Sequence, residues 1–170
     1  MTDQYYKQFK LKSEFVFDID PSLLQFNFWF KKLGSELMLV SDELWSKEPL
    51  LQIISKRFPI EVCALSKMNP NTIYDWHTDA ERGVGINLKL SIESRSSTLF
   101  GQTIDDWNIG FTELDYQPQN FYLFNTSINH SVINFDKDRY LFTVQFSQTD
   151  KLVTYNEIYN WCHQEGLFDE

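Results

Sequence analysis

Four residues of this chain have the types and spacing to do chemistry: His77, Asp79, His130 and Arg139. In His77-Thr78-Asp79 the first and third side chains leave an extended backbone on the same side, because side chains along a strand alternate with period two. A second imidazole from further along the chain, His130, can complete a set of two nitrogen donors and one carboxylate. Such a set holds a divalent first-row ion, Fe(II) above all, on one face and leaves its other positions open. Arg139 follows His130 closely and carries a planar fork that grips a carboxylate through two parallel hydrogen bonds, which Lys cannot do. Together these residues point to an iron site that takes a small dicarboxylic acid.

The elements that must position them are legible as patterns. In Arg139-Tyr140-Leu141-Phe142-Thr143-Val144-Gln145-Phe146, Tyr140, Phe142, Val144 and Phe146 share one face of a strand and Arg139, Leu141, Thr143 and Gln145 the other. The first face can pack on helices while the second lines a partly apolar cavity. An Arg there must satisfy an anion, since an unpaired buried charge is very costly. Short strands are expected near 60–68, 72–78, 84–93, 97–101, 109–116, 120–125, 129–135 and 138–147, bounded by turn residues. A turn at Asp136-Lys137-Asp138 brings Arg139 beside the strand of His130. Before these, Tyr5 to Ile19 alternates as one or two strands. Asp20-Pro21-Ser22 opens a helix through Leu33, stopped by Gly34, and Ser41 to Phe58 is a second helical region whose better half starts at Pro49. Thr154-Tyr155-Asn156-Glu157 has the capping-box form and begins a last helix to about His163, with Gly166 beyond its end.

The bounds agree with a packed protein. The chain has 170 residues, 42% of them hydrophobic with fifteen Phe, which is enough for a sizeable core in one domain over 1–170. A net charge of −9 makes nucleic acid an unlikely partner. Cys63 and Cys162 are the only cysteines, too few for a disulfide framework. The opening Met1-Thr2-Asp3-Gln4 is not a signal peptide, and no apolar run reaches the length of a membrane span. A soluble, cytoplasmic protein with no membrane partner is expected. Helices followed by eight short strands suggest an α+β protein, an antiparallel sandwich or barrel with N-terminal helices against one sheet.

His77-Thr78-Asp79, then Arg82 to Leu90, then Asn129-His130-Ser131-Val132, then Arg139 to Phe146 together resemble the core of the 2-oxoglutarate/Fe(II)-dependent dioxygenases. The likeness runs from about Ile60 to Ser147. It is greatest to the prolyl-hydroxylase-like branch, including small phage or bacterial relatives, which extends the cytoplasmic expectation to a host cell. It implies a double-stranded β-helix (a jelly roll of the cupin kind), metal ligands His77, Asp79 and His130, and Arg139 on the distal carboxylate of 2-oxoglutarate. It also implies Fe(II), 2-oxoglutarate as co-substrate and O2, with succinate released as a peptide, amino acid or other small substrate is hydroxylated. Two departures stand out. Where the family often has a Tyr upstream of His-x-Asp, this chain has Lys67, and a second helper to oxoglutarate falls at Asn87 or Lys89. The usual run of glycines is replaced by Ser96-Ser97-Thr98-Leu99-Phe100-Gly101.

Each residue also has a plainer reading. Asp79 could be a turn residue, because Asp79-Ala80-Glu81-Arg82-Gly83 reads as a loop. Arg139 could pair with Asp136 or Asp138. Asn87 could bond a neighbouring backbone group, and Lys89 could be a solvated or salt-bridged residue. Tyr74 and Trp76 flank the metal motif and could line a substrate site or simply join the core. His163 reads as structural. The competing functions are a cupin-like metal protein that does not use 2-oxoglutarate and a jelly-roll module without metal. Arg139 separates the first from an oxygenase, since a metal cupin has no need of it.

Overall fold

A computed structural model describes residues 3–13, 30–32, 35–79, 82–91, 93–103, 109–147 and 151–169. The strands are β1 (Tyr6–Lys12), β2 (Phe30–Lys32), β3 (Ser35–Leu39), β4 (Ile60–Met68), β5 (Thr72–His77), β6 (Gly85–Lys89), β7 (Ser96–Thr103), β8 (Ile109–Leu114), β9 (Asn120–Phe124), β10 (His130–Asn134) and β11 (Arg139–Phe146). The helices are α1 (Asp42–Trp45), α2 (Pro49–Ser55) and α3 (Tyr155–Gln164). A seven-stranded sheet runs β1-β9-β6-β11-β4-β3-β2 and a four-stranded sheet β5-β10-β7-β8. All the pairings are antiparallel. From β4 onward the chain passes back and forth between the sheets, so residues far apart in sequence face one another across the space between them.

The alternation of β11 decides which side is which. Phe142, Val144 and Phe146 are fully buried. They join the main core with Phe9 of β1, Ile86 and Leu88 of β6, Phe121 and Leu123 of β9, Leu50, Leu51 and Ile54 of α2, and Ile158 and Cys162 of α3. This core therefore fills the outer side of the large sheet. Each fully buried apolar side chain there stabilises by about 1.5–3 kcal/mol. A smaller cluster of Tyr5, Phe100, Leu114, Tyr122 and Phe124 lies elsewhere in the fold, while Arg139, Leu141, Thr143 and Gln145 line a cavity. Cys63 and Cys162 are buried free thiols, and burial pushes each up to about 12.

The eight strands from β4 to β11 fall where the residue pattern puts them, and α3 starts with the expected box. Thr154 Oγ1 accepts from the Glu157 backbone N–H, and the Glu157 carboxylate accepts from the Thr154 N–H. The N-terminal helices are not borne out. Residues 30–32, expected as the end of a helix through Leu33, form β2, which pairs with β3, and β3 in turn pairs with β4. The physical reason is the edge of β4: β3 satisfies its backbone groups and β2 in turn those of β3, and long-range pairing of this kind overrides local helix propensity. Residues 21–29 of that expected helix lie outside the described residues, as do 14–19 of the expected second strand. In the Ser41–Phe58 region α2 contributes the fully buried apolar side chains Leu50, Leu51 and Ile54, while α1 buries none. Cover for the large sheet therefore comes from one short helix, α2, and from α3 near the C-terminus.

One buried side chain fixes the turn before Arg139. Asn134, at the end of β10, is 1% exposed, and its Nδ2 lies 3.0, 2.8 and 2.8 Å from the carbonyl oxygens of Met68, Asn69 and Lys137. It ties the β4–β5 turn to the β10–β11 turn. Asn134→Ala removes the donor from these carbonyls and is expected to cost about 1–3 kcal/mol, read as a lower urea midpoint with an unchanged slope.

Candidate metal centre and anion pocket

His77 ends β5 and His130 begins β10, and the two are directly paired across the ladder. Their ring centroids are 4.2 Å apart. Asp79 follows β5 by two residues. Its N–H donates to the Thr126 carbonyl at 2.9 Å, anchoring it to the turn that precedes β10. One ligand atom from each of His77, Asp79 and His130 falls within 4.8 Å of the others. His77 Nε2 is 3.8 Å from Asp79 Oδ1.

The protonation of the rings suits metal binding. His77 Nδ1 lies 2.6 Å from the Asp75 carbonyl and His130 Nδ1 lies 2.8 Å from the Ile128 carbonyl. A carbonyl oxygen only accepts, so each Nδ1 carries the proton and each Nε2 keeps its lone pair, the arrangement by which backbone partners orient ligating imidazoles. Burial lowers the pKa of His130 below its ordinary value, with His77 adding to the effect, so the neutral ring is favoured. Rings box the imidazoles in: Tyr74 lies 3.9 Å from His77, and Phe124 lies 5.0 Å from His130 at an edge-on 81°. The donor set fits a first-row divalent ion.

A register shift explains how β5 serves the site. Between His130 and Val132 the partners on β5 move from His77 to Tyr74, three residues against two. One extra residue on β5 is a bulge, which breaks the alternation. Asp75 and Trp76 both end up exposed while Tyr74 and His77 both line the cavity. The Trp76 N–H is capped by Asp75 Oδ1 at 2.8 Å. Trp76 is 40% exposed and its indole lies against Gly101, where a Cβ would come within 2.8 Å of it. Tyr74 lines the cavity and Trp76 is not part of that lining.

Arg139 is 4% exposed at the start of β11. It crosses to the small sheet, where Nη2 donates to Thr98 Oγ1 at 3.3 Å, and its guanidinium carbon sits 5.7 Å from the Tyr116 ring centre. Its Nε has no hydrogen-bond partner among the described residues. Burial pushes the guanidinium pKa down, which Tyr116 opposes. Neither Asp136 nor Asp138 serves it: Asp136 accepts from the Arg95 N–H, and Asp138 pairs with Lys67 at 3.2 Å. Lys67 therefore faces away from the cavity. Thr98 is opposite Val132, and Phe100 is opposite His130. The Arg139 contact thus lies two residues, or roughly 7 Å, along the ladder from the metal ligands. One cavity of about 350 Å³ is lined by the triad, Arg139, Tyr74, Thr98 and Tyr116, with Leu39, Ala64 and Leu141 on another wall.

Asn87 is buried in the same cavity, its Nδ2 3.5 Å from the Tyr116 hydroxyl and its Oδ1 without a partner among the described residues. Lys89 is not in that lining. Its Nζ donates to the Ser94 carbonyl at 2.8 Å and borders a separate hollow with Asp115 and Gln117. That bond takes one of the three ammonium donors of Lys89, whereas Asn87, the other candidate helper, lies in the cavity with Arg139. His163 stacks on Tyr159 in α3. Tyr116 and Thr98 line the cavity around Arg139 but carried no motif in the sequence; the strand expected near 109–116 ends at Leu114, so Tyr116 falls just beyond it.

No family model matches this chain, and no curated protein matches it. Solved structures do. An oxidoreductase of the 2OG-Fe(II) oxygenase family from Burkholderia pseudomallei aligns with a TM-score of 0.56 at 10% identity, covering 76% of each chain. A prolyl hydroxylase from Trichoplax adhaerens, solved with a peptide fragment of the hypoxia inducible factor oxygen degradation domain, aligns at 0.55 and 14%, covering 74% of this chain and 73% of that one. The viral collagen prolyl hydroxylase of Paramecium Bursaria Chlorella virus-1, solved as a 2OG complex, aligns at 0.53 and 12%, covering 84% and 95%. At these identities the likeness establishes the fold.

The donor set has a direct check. Titrated with Mn(II), the protein is expected to bind one ion, and Asp79→Ala and His130→Ala are each expected to weaken it by more than about tenfold, beyond the lower end of what losing a mere supporting partner costs. Affinity should fall on acidification, and for His130 only below the ordinary imidazole range of about pH 6.5, because burial lowers its pKa and a proton competes for its nitrogen only below that lowered value.

Proposed function

We propose that this chain is a 2-oxoglutarate- and Fe(II)-dependent oxygenase that hydroxylates a peptide, amino acid or other small substrate, releasing succinate and CO2. The observation that carries the reading is the pairing, inside one cavity, of the His77, Asp79 and His130 donors with a buried Arg139 whose Nε has no partner. We read the order of strands β4 to β11 as a double-stranded β-helix, and residues 1–170 as one such domain. No helix among the described residues is long and apolar enough to cross a membrane.

His77 Nε2, an Asp79 oxygen and His130 Nε2 would hold the ion. When bound, Fe(II) supplies the activation of O2 and the oxidative decarboxylation of 2-oxoglutarate. The chain's own work is to bind and orient. The Arg139 fork would take the distal carboxylate of 2-oxoglutarate, with the Thr98 and Tyr116 hydroxyls as neighbouring donors. Burial raises the Tyr116 pKa and keeps its phenol protonated. The roughly 7 Å between the Arg139 contact and the metal ligands suits a short dicarboxylic acid lying along the strand direction. Tyr74, stacked on His77, and the apolar wall of Leu39, Ala64 and Leu141 would receive the substrate. The peptide held by the Trichoplax neighbour supports a peptide among the candidates. The cupin reading without 2-oxoglutarate explains the three metal donors but leaves the buried cation unexplained.

Succinate release with iron, ascorbate and 2-oxoglutarate over a pool of peptides and amino acids tests the reaction. The pocket is tested by calorimetry on Mn(II)-loaded protein. Arg139→Ala is expected to weaken 2-oxoglutarate by tenfold or more, as about 1.5–3 kcal/mol of charge-assisted hydrogen bonding is lost. Arg139→Lys should recover only part of this, and Mn(II) affinity should stay nearly unchanged. Equal 2-oxoglutarate affinities in wild type and Arg139→Ala would return the protein to the cupin reading.

A further inference from the structure

Arg82 stands behind the metal centre and has no place in the reading so far. Its Nη1 is 3.5 Å from Asp79 Oδ2, while Asp79 Oδ1 is the oxygen turned toward His77 Nε2. The other end of its fork, Nη2, donates to Thr143 Oγ1 at 2.9 Å and to the Val144 carbonyl at 3.4 Å. Room for it is made by Gly85, where a Cβ would stand 2.8 Å from Nη2. The backbone joins in, because the Arg82 N–H donates to the Asp79 carbonyl at 2.9 Å. A guanidinium fixed from behind by the large sheet thus holds one oxygen of the carboxylate and leaves the other free.

We propose that Arg82 is a positioning residue that restricts Asp79 to ligating through a single oxygen. The proposal rests on the metal reading above and goes beyond it. A carboxylate can bind an ion through one oxygen or two, and the second mode takes up a position that a chelating co-substrate needs. Holding Oδ2 on Arg82 removes that mode. Lys would carry the charge without the fork and would hold Oδ2 less rigidly.

Water-proton relaxation of the Mn(II)-loaded protein reads the outcome, because it counts exchangeable waters on the ion. With three single-atom protein ligands on a six-coordinate ion, the wild type is expected to keep roughly three waters. Arg82→Met, which retains the stem and loses the fork, is expected to lower the count by about one and to weaken 2-oxoglutarate about tenfold, the loss of roughly one good charge-assisted interaction. Arg82→Lys should lie between. Thr143→Val, which removes one acceptor of Nη2 without touching the charge, should move both readouts the same way by less. A merely structural role would reduce the fraction of protein that binds Mn(II) without altering the water count of the loaded form. An unchanged count in Arg82→Met overturns the proposal, and so does an Arg82→Met protein that no longer holds Mn(II). A wild type with no relaxation change on adding Mn(II) would instead remove the metal reading itself.

Discussion

The pairing of His77 with His130 across neighbouring strands is the contact on which the rest of the site depends. Metal donors must converge to within a few ångströms, and an antiparallel ladder delivers this by backbone hydrogen bonds alone. Every other part of the site is set relative to that rung. The bulge in β5 re-aims Tyr74 so that it shares a face with His77. The turn before β10 holds Asp79 through the Thr126 carbonyl. The same β10, continued to Asn134, fixes the turn from which Arg139 departs.

The second constraint is electrostatic. A guanidinium at 4% exposure is tolerable only with compensation. The protein gives it the hydroxyls of Thr98 and Tyr116 and the face of the Tyr116 ring. None of these is an anion, and on the proposed function the distal carboxylate of 2-oxoglutarate would supply one. Arg82 is the opposite case. It stands beside a carboxylate, Asp79, and its fork is also met by a hydroxyl and a carbonyl. On that reading, two arginines in one cavity would divide between holding a ligand and holding a side chain.

What could be read from the sequence follows physical range. The face assignment of β11 was legible because alternation is local, and all four of its inward residues line the cavity. The capping box at Thr154 was legible for the same reason. His77, Asp79, His130 and Arg139 were legible because their types are rare together and their order is informative. The β2–β3 hairpin was hidden, since it depends on the edge of β4, a partner more than twenty residues away. The shared face of Tyr74 and His77 was hidden by a bulge, which shifts alternation without any residue that announces it. Arg82 sat in a stretch that reads as an ordinary turn, and Tyr116 fell just beyond the end of its expected strand.

Among the described residues, the strand that carries His77 has a single neighbour: β5 stands at one end of the four-stranded sheet and pairs there with β10. Edge segments open locally at a smaller free-energy cost than strands paired on both sides. With an ion spanning β5 and β10, that opening would require the ion to let go, so a bound ion would act as a staple across this seam. Metal exchange in this protein would then be a breathing motion of one strand, with its rate set by the lifetime of a few hydrogen bonds between β5 and β10. Amide hydrogen exchange along Thr72–His77 would slow on loading, while the strands at the centre of the large sheet would exchange as before.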